Sequence, residues 1–90
     1  IFHYIKKLIK NFIMDLNEFI KNFAYQFDDT DIEQIKAETI YEDLDEWSSL
    51  TALSVIAMID HEYGVGIGAK EIIESTTVKG LYDTVIELKK

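Results

Sequence analysis

Residues 47–63 read WSSLTALSVIAMIDHEY, from Trp47-Ser48-Ser49-Leu50 to Tyr63. Leu50, Leu53, Ile56, Ala57 and Ile59 recur at helical spacing, and neither glycine nor proline interrupts the run. The spacing predicts a helix that starts at Ser48 or Ser49, since serine is a good N-cap, with those five residues as its buried stripe. Gly64-Val65-Gly66-Ile67-Gly68 ends it. That run superficially resembles a phosphate-binding loop, but no strand precedes it and the glycine spacing is wrong. It reads as a turn, with Val65 and Ile67 packing inward. The helix begins where a long acidic stretch ends, so a serine hydroxyl sits at its exposed N-terminus with no base near it in sequence. Such a serine is poorly equipped to attack a substrate and well placed to be modified.

Working outward, Leu16, Phe19, Ile20, Phe23 and Phe27 line one side of an earlier helix that Asp28-Asp29-Thr30-Asp31 closes. Residues 28–48 form a long acidic connection, with Ile32, Ile35, Ile40 and Leu44 as apolar anchors. A loop of this length in a small domain is usually functional. Downstream, a short helix over 69–74 precedes Ser75-Thr76-Thr77. Thr77 caps a last helix over 78–88, whose apolar face is Val78, Leu81, Val85 and Leu88. No segment alternates as a strand would. The expected fold is all-α, a small bundle of three main helices plus one short helix, with a long first loop.

The 90 residues carry a formal net charge of -8, with no arginine and no cysteine. Lys6, Lys7 and Lys10 stand in the acid-free segment 1–13, so the rest is more acidic still. That surface repels nucleic-acid phosphates and favours proteins with basic patches. Thiolate chemistry of the chain's own is excluded, and His3 and His61 are too few for a zinc site. His61 reads as a surface residue near a helix end. No apolar run spans a bilayer, so stable membrane insertion is not expected, and a reducing cytoplasm suits the chain. Residues 1–13, IFHYIKKLIKNFI, read as a basic amphipathic extension. It either is foreign to the domain or continues its first helix, and the domain itself is expected over 14–90. The rival reading is a helix that docks on a membrane or partner.

This order of parts resembles the acyl carrier and peptidyl carrier protein family, over nearly all the chain after Met14. Ile40-x-x-x-Leu44 is similar to the phenylalanine-to-leucine pair of the family's first loop. Ser49-Leu50 resembles the serine-leucine of its Asp-Ser-Leu motif. The stretch from Ile59-Asp60-His61-Glu62 to Tyr63-Gly64-Val65 resembles the close of its second helix, and Ile72-Ile73-Glu74-Ser75-Thr76-Thr77-Val78 the turn into its last. The resemblance implies an acyl carrier-like fold and 4'-phosphopantetheine attached to Ser49 by a separate phosphopantetheinyl transferase. The arm would carry an acyl or aminoacyl cargo as a thioester between acyl-loading and acyl-transferring enzymes. An aliphatic cavity between helices would be open to the acyl chain. Partner-facing positions would be Asp45, Glu46, Trp47, Leu50, Ser54, Ala57 and Asp60. The protein would be a non-catalytic monomer.

The chain departs from the pattern in three places, the first being a long loop one residue longer than the family's. Ser48 replaces the motif's aspartate, and Thr51 and Ser54 stand where the second helix often carries acids. Charge gathers instead in the loop, at Glu38, Glu42, Asp43, Asp45 and Glu46, which implies partners other than the standard fatty acid synthase set. For Ser49 the bland reading is a simple N-cap worth about 1 kcal/mol. Trp47 is expected to bury against Leu50 and the loop. Two other classes stay open: a carrier-like acidic adaptor that has lost its modification, and an unrelated helical interaction module driven by residues 1–13. An enzyme is disfavoured, because no nucleophile–base pair or metal set appears.

Overall fold

The computed structural model describes residues 15–89, and the expected extension over 1–13 lies outside them. Among the described residues the helices are α1 (Leu16–Ala24), α2 (Ser49–Tyr63), α3 (Ala69–Ser75) and α4 (Val78–Lys89). Two 3₁₀ turns, Ile32–Gln34 and Tyr41–Asp43, interrupt the α1–α2 loop. The all-α architecture is the one expected, with α3 as the short helix.

Local chemistry sets the helix ends. The Asp15 carboxylate accepts the Asn17 N–H at 2.9 Å and caps α1. That helix stops at Ala24, earlier than its apolar pattern suggests. The N–H groups of Gln26 and Phe27 donate to the Phe23 and Ala24 carbonyls, both at 3.1 Å, which tightens the chain into a turn. Phe27 still reaches the core from that turn, with its ring centroid 5.4 Å from that of Phe23. At the end of α2, Gly64 adopts φ 67°, a left-handed conformation that glycine takes at no steric cost.

Helices α1 and α2 run antiparallel: Phe19 meets Tyr63 at one end, and Phe23 meets Trp47 at the other. The fully buried core is Phe19 and Phe23 of α1, Tyr41 of the loop, Val55 and Ile59 of α2, and Val78, Leu81 and Val85 of α4. Each aliphatic or phenylalanine side chain so buried contributes roughly 1.5–3 kcal/mol. Lys89 donates to the Tyr63 carbonyl at 2.8 Å and ties the last turn of α4 to the C-terminus of α2. A cation there also complements the helix dipole. Val65 is buried and Ile67 packs against the core, as the glycine-rich turn suggested.

Several sequence expectations need correction. The stripe of α2 that enters the core is Val55, Met58 and Ile59, whereas Leu50, Leu53 and Ala57 face outward. Two apolar stripes share this helix, and periodicity does not say which one meets its neighbours. In the loop, Ile35 is buried, but Ile32 and Ile40 are exposed. Tyr41 is the principal anchor, and its hydroxyl donates to the Ile72 carbonyl of α3. On α4, Tyr82 joins the buried face and Leu88 does not.

The loop is stapled to the start of α4. The N–H groups of Val78 and Lys79 donate to the Thr39 and Ala37 carbonyls at 3.1 and 2.8 Å, beside an isolated antiparallel bridge between Ile40 and Thr77. Thr77 accepts the Gly80 N–H through its hydroxyl at 2.9 Å, the capping role expected of it. Just before it, Thr76 sits at φ 67°, ψ -55°, with the Thr77 N–H bonded to the Ser75 carbonyl at 2.7 Å. This is a strained γ-turn, held in place by the loop bonds on its far side.

Candidate functional site

The site is the N-terminus of α2 and the groove between α2 and α3. Ser48 is extended, at φ -155°, ψ 175°, and is the N-cap. Its N–H donates to Thr51 Oγ1 at 2.7 Å, and its Oγ accepts the Thr51 N–H at 3.3 Å. This reciprocal capping box occupies the Ser48 side chain with the helix end. Ser49, the first helical residue, is exposed, and its hydroxyl has no hydrogen bond among the described residues. The N–H groups of Ser49 and Leu50 likewise have no acceptor there. Two free donors and the positive end of the helix dipole thus surround an unengaged hydroxyl.

Among the described residues no side chain is hydrogen-bonded to the Ser49 hydroxyl, although Glu42 lines the same groove. His61 lies twelve residues along the same helix, about 18 Å away at the α-helical rise. Among the described residues no group of three His, Cys, Asp or Glu is arranged to hold a metal. The arrangement can present a hydroxyl and accommodate an anion on it.

Trp47 fixes the chain as it enters α2. Its indole stacks nearly parallel on Phe23, with centroids 6.5 Å apart and planes 9° from parallel. It also lies 4.8 Å from the Tyr41 ring and 6.2 Å from that of Phe27. The expected burial against the loop holds, but Leu50 takes no part and projects outward. Glu46, one residue earlier, is a brace. Its carboxylate accepts the N–H groups of Asp28 and Asp29 at 2.7 and 3.0 Å and the Thr30 hydroxyl at 2.7 Å. These bonds, the Thr30 hydroxyl first, hold the Glu46 carboxyl below its ordinary pKa. The brace pins the two ends of the long loop together directly ahead of the site.

Beside Ser49 opens a groove of about 490 Å³, lined chiefly by Trp47, Ala52, Leu53, Ile56, Ile72 and Ile73, with Glu42 at its loop end. Burial raises the Tyr41 phenol to about 12, with the Glu42 charge adding to the shift, so the bond to Ile72 beneath the groove persists at neutral pH.

Of the other positions expected to face partners, Asp45, Leu50, Ala57 and Asp60 are exposed and Ser54 is half-buried. Glu46 and Trp47 are half-buried, Glu46 bonded to the start of the loop and Trp47 packed on Phe23 while also lining the groove. Sequence reasoning missed Thr51, Tyr41 and Ile73. A threonine three residues after the serine N-cap was a legible signal for the first. The other two depend on how the loop and α3 pack, which no local pattern encodes.

A family model described as the phosphopantetheine attachment site matches residues 20–85. No curated protein and no solved structure matches the chain. The group that this family attaches covalently is 4'-phosphopantetheine. The residues present fit such a group, because a free hydroxyl and two unpaired N–H groups meet at one exposed point.

Proposed function

We propose, for a chain that belongs to the phosphopantetheine attachment-site family, that Ser49 is the attachment residue and that the protein is a non-catalytic carrier. The observation that carries the choice is the capping box. Ser48 spends its side chain on Thr51, whereas the Ser49 hydroxyl is exposed and unengaged. When bound, the group supplies a terminal thiol for an acyl or aminoacyl thioester, chemistry that a chain without cysteine lacks. The unpaired N–H groups of Ser49 and Leu50 at the start of the helix would favour the negative charge of a phosphodiester on Ser49. In this reading the serine proton leaves to a base on the transferase, since no described side chain is hydrogen-bonded to the Ser49 hydroxyl. The groove beside Ser49 gives apolar cargo a shelter from water.

In this reading residues 14–90 are the carrier domain, acting as a cytoplasmic monomer served by a phosphopantetheinyl transferase and by separate loading and transferring enzymes. Among the described residues no helix is long and apolar enough to cross a membrane. Tethering helps because a flexible arm raises the effective concentration of cargo at each partner's site.

The test is the intact mass before and after incubation with coenzyme A, magnesium and a broad-specificity transferase. A gain of one phosphopantetheinyl unit is expected. A folded, initially unmodified protein that gains nothing would instead be an acidic adaptor with a carrier fold.

A further inference from the structure

Two consecutive serines stand at the start of α2, where the motif that the chain resembles has a single serine after an aspartate. A second hydroxyl in place of the carboxylate is a second acceptor of the same chemical kind, so something must tell the two apart. Exposure does not, because Ser48 and Ser49 are both exposed. Hydrogen bonding does. The Ser48 N–H donates to Thr51 Oγ1 at 2.7 Å, and the Ser48 Oγ accepts the Thr51 N–H at 3.3 Å. The Ser48 carbonyl lies 2.9 Å from the Thr51 hydroxyl and also accepts the Ala52 N–H at 3.0 Å. One residue thus meets the N–H, the hydroxyl and the carbonyl of Ser48. The Thr51 hydroxyl is itself half-buried and lies 3.4 Å from the Glu46 carbonyl, so it is no rival acceptor. The Ser49 N–H and hydroxyl have no such tie among the described residues.

In the transfer, the acceptor oxygen offers a lone pair to the pantetheine-side phosphorus of the coenzyme A diphosphate and forms a P–O bond. The bond from that phosphorus to the bridging oxygen breaks, adenosine bisphosphate leaves with its electrons, and the serine proton goes to the transferase's base. Ser48 already gives a lone pair to the Thr51 N–H. Its oxygen can meet a phosphorus only by abandoning the cap and displacing a backbone held at both N–H and carbonyl. Resting on the Ser49 reading above, we infer that Thr51 is the specificity-determining residue that holds Ser48 back as a cap and confines the modification to Ser49. Thr51 acts through Ser48 and is not itself catalytic.

The test is transfer from coenzyme A by a broad-specificity transferase to the full chain, with the modified serine located by fragmentation in the mass spectrometer. Ser49→Ala is compared with two double variants. Ser49→Ala/Thr51→Val keeps the β-branched shape and deletes the hydroxyl, whereas Ser49→Ala/Thr51→Ser keeps the box. The valine variant is expected to gain one phosphopantetheinyl unit on Ser48, about tenfold or more faster than Ser49→Ala, since a weakened cap and an unmade backbone bond are each worth several-fold. The serine variant should stay at the Ser49→Ala rate. Thermal melts check folding, and Thr51→Ala, with its better helix propensity, replaces valine if that variant is unfolded. Ser49→Ala/Gly80→Ala separates selection from instability, because a Cβ at Gly80 overlaps the Ser75 carbonyl oxygen and weakens the domain without touching the box. That control is expected to stay unmodified. A folded Thr51 variant lacking the hydroxyl that gains nothing on Ser48, or a Gly80 control that gains as much, overturns the inference and leaves Ser49 the modified residue. If wild type accepts no arm, or accepts it on Ser48, the Ser49 reading itself falls and takes the inference with it.

Discussion

Ser48 and Thr51 exchange hydrogen bonds across the first turn of α2, at 2.7 Å from the Ser48 N–H and 3.3 Å back to its hydroxyl. The pair explains how the domain keeps this helix end without the family motif's aspartate, since serine and aspartate cap about equally well. Ser48→Ala is therefore expected to cost about 1 kcal/mol, read from chemical denaturation. Ser48→Asp should melt at or slightly above the wild-type temperature, because an anion at the N-terminus also suits the helix dipole. An unchanged stability in Ser48→Ala would show that the box does not hold the helix end.

Gly80 is required for space. A Cβ there would overlap the Ser75 carbonyl oxygen, which is backbone and cannot turn aside. The γ-turn at Thr76 brings that carbonyl against α4. Gly80→Ala is expected to destabilise by about 1–3 kcal/mol, as overpacking does. A thermal melt checks this, and a melting temperature equal to wild type would mean that the turn relaxes freely.

The Glu46 brace gives a pH signature. Its folded-state pKa is lowered, so its contribution is complete above the ordinary glutamate value of about 4.3 and is lost as pH falls through the lowered folded value. Glu46→Gln should be less stable than wild type at neutral pH, and the two should converge as the solution is acidified. A gap that stays constant down to acidic pH would assign the effect to packing instead.

Tyr41 gives the opposite sign at the alkaline end. Its folded pKa is raised to about 12, so its contribution is complete below the unfolded value of about 10 and drains away as pH rises from there toward 12. Tyr41→Phe should cost about 1–3 kcal/mol at neutral pH, because the buried Ile72 carbonyl loses its donor. The variant should also escape the extra alkaline loss that wild type shows. Parallel alkaline titration of both proteins, followed by circular dichroism, separates these expectations from a purely steric role.

The legible parts of the sequence were those under local control. Ser48 and Thr77 announced helix starts and Gly64 a helix stop, because caps and left-handed turns are chosen by side-chain chemistry within a few residues. The end of α1 was less legible, since Phe27 keeps its apolar register through a turn that is no longer helical. Of the four apolar loop positions, Ile35 and Leu44 pack inward, whereas Ile32 and Ile40 face outward and Tyr41 fills the core instead, because an irregular segment has no period to reveal which side faces inward. The outward stripe of Leu50, Leu53 and Ala57 was read as core for a related reason. Helical spacing reports a stripe, while the neighbours decide which stripe they cover. The modifiable serine was visible through its resemblance to a known motif. That its neighbour is occupied by Thr51 became visible only in three dimensions.

The most direct test locates the modification itself. Wild type, Ser48→Ala and Ser49→Ala are each incubated with coenzyme A and transferase, and the modified peptide is fragmented in the mass spectrometer. Wild type and Ser48→Ala are expected to carry the phosphopantetheinyl group on Ser49, and folded Ser49→Ala to carry none. A group on Ser48, or a Ser49→Ala protein that still gains it, would contradict the assignment.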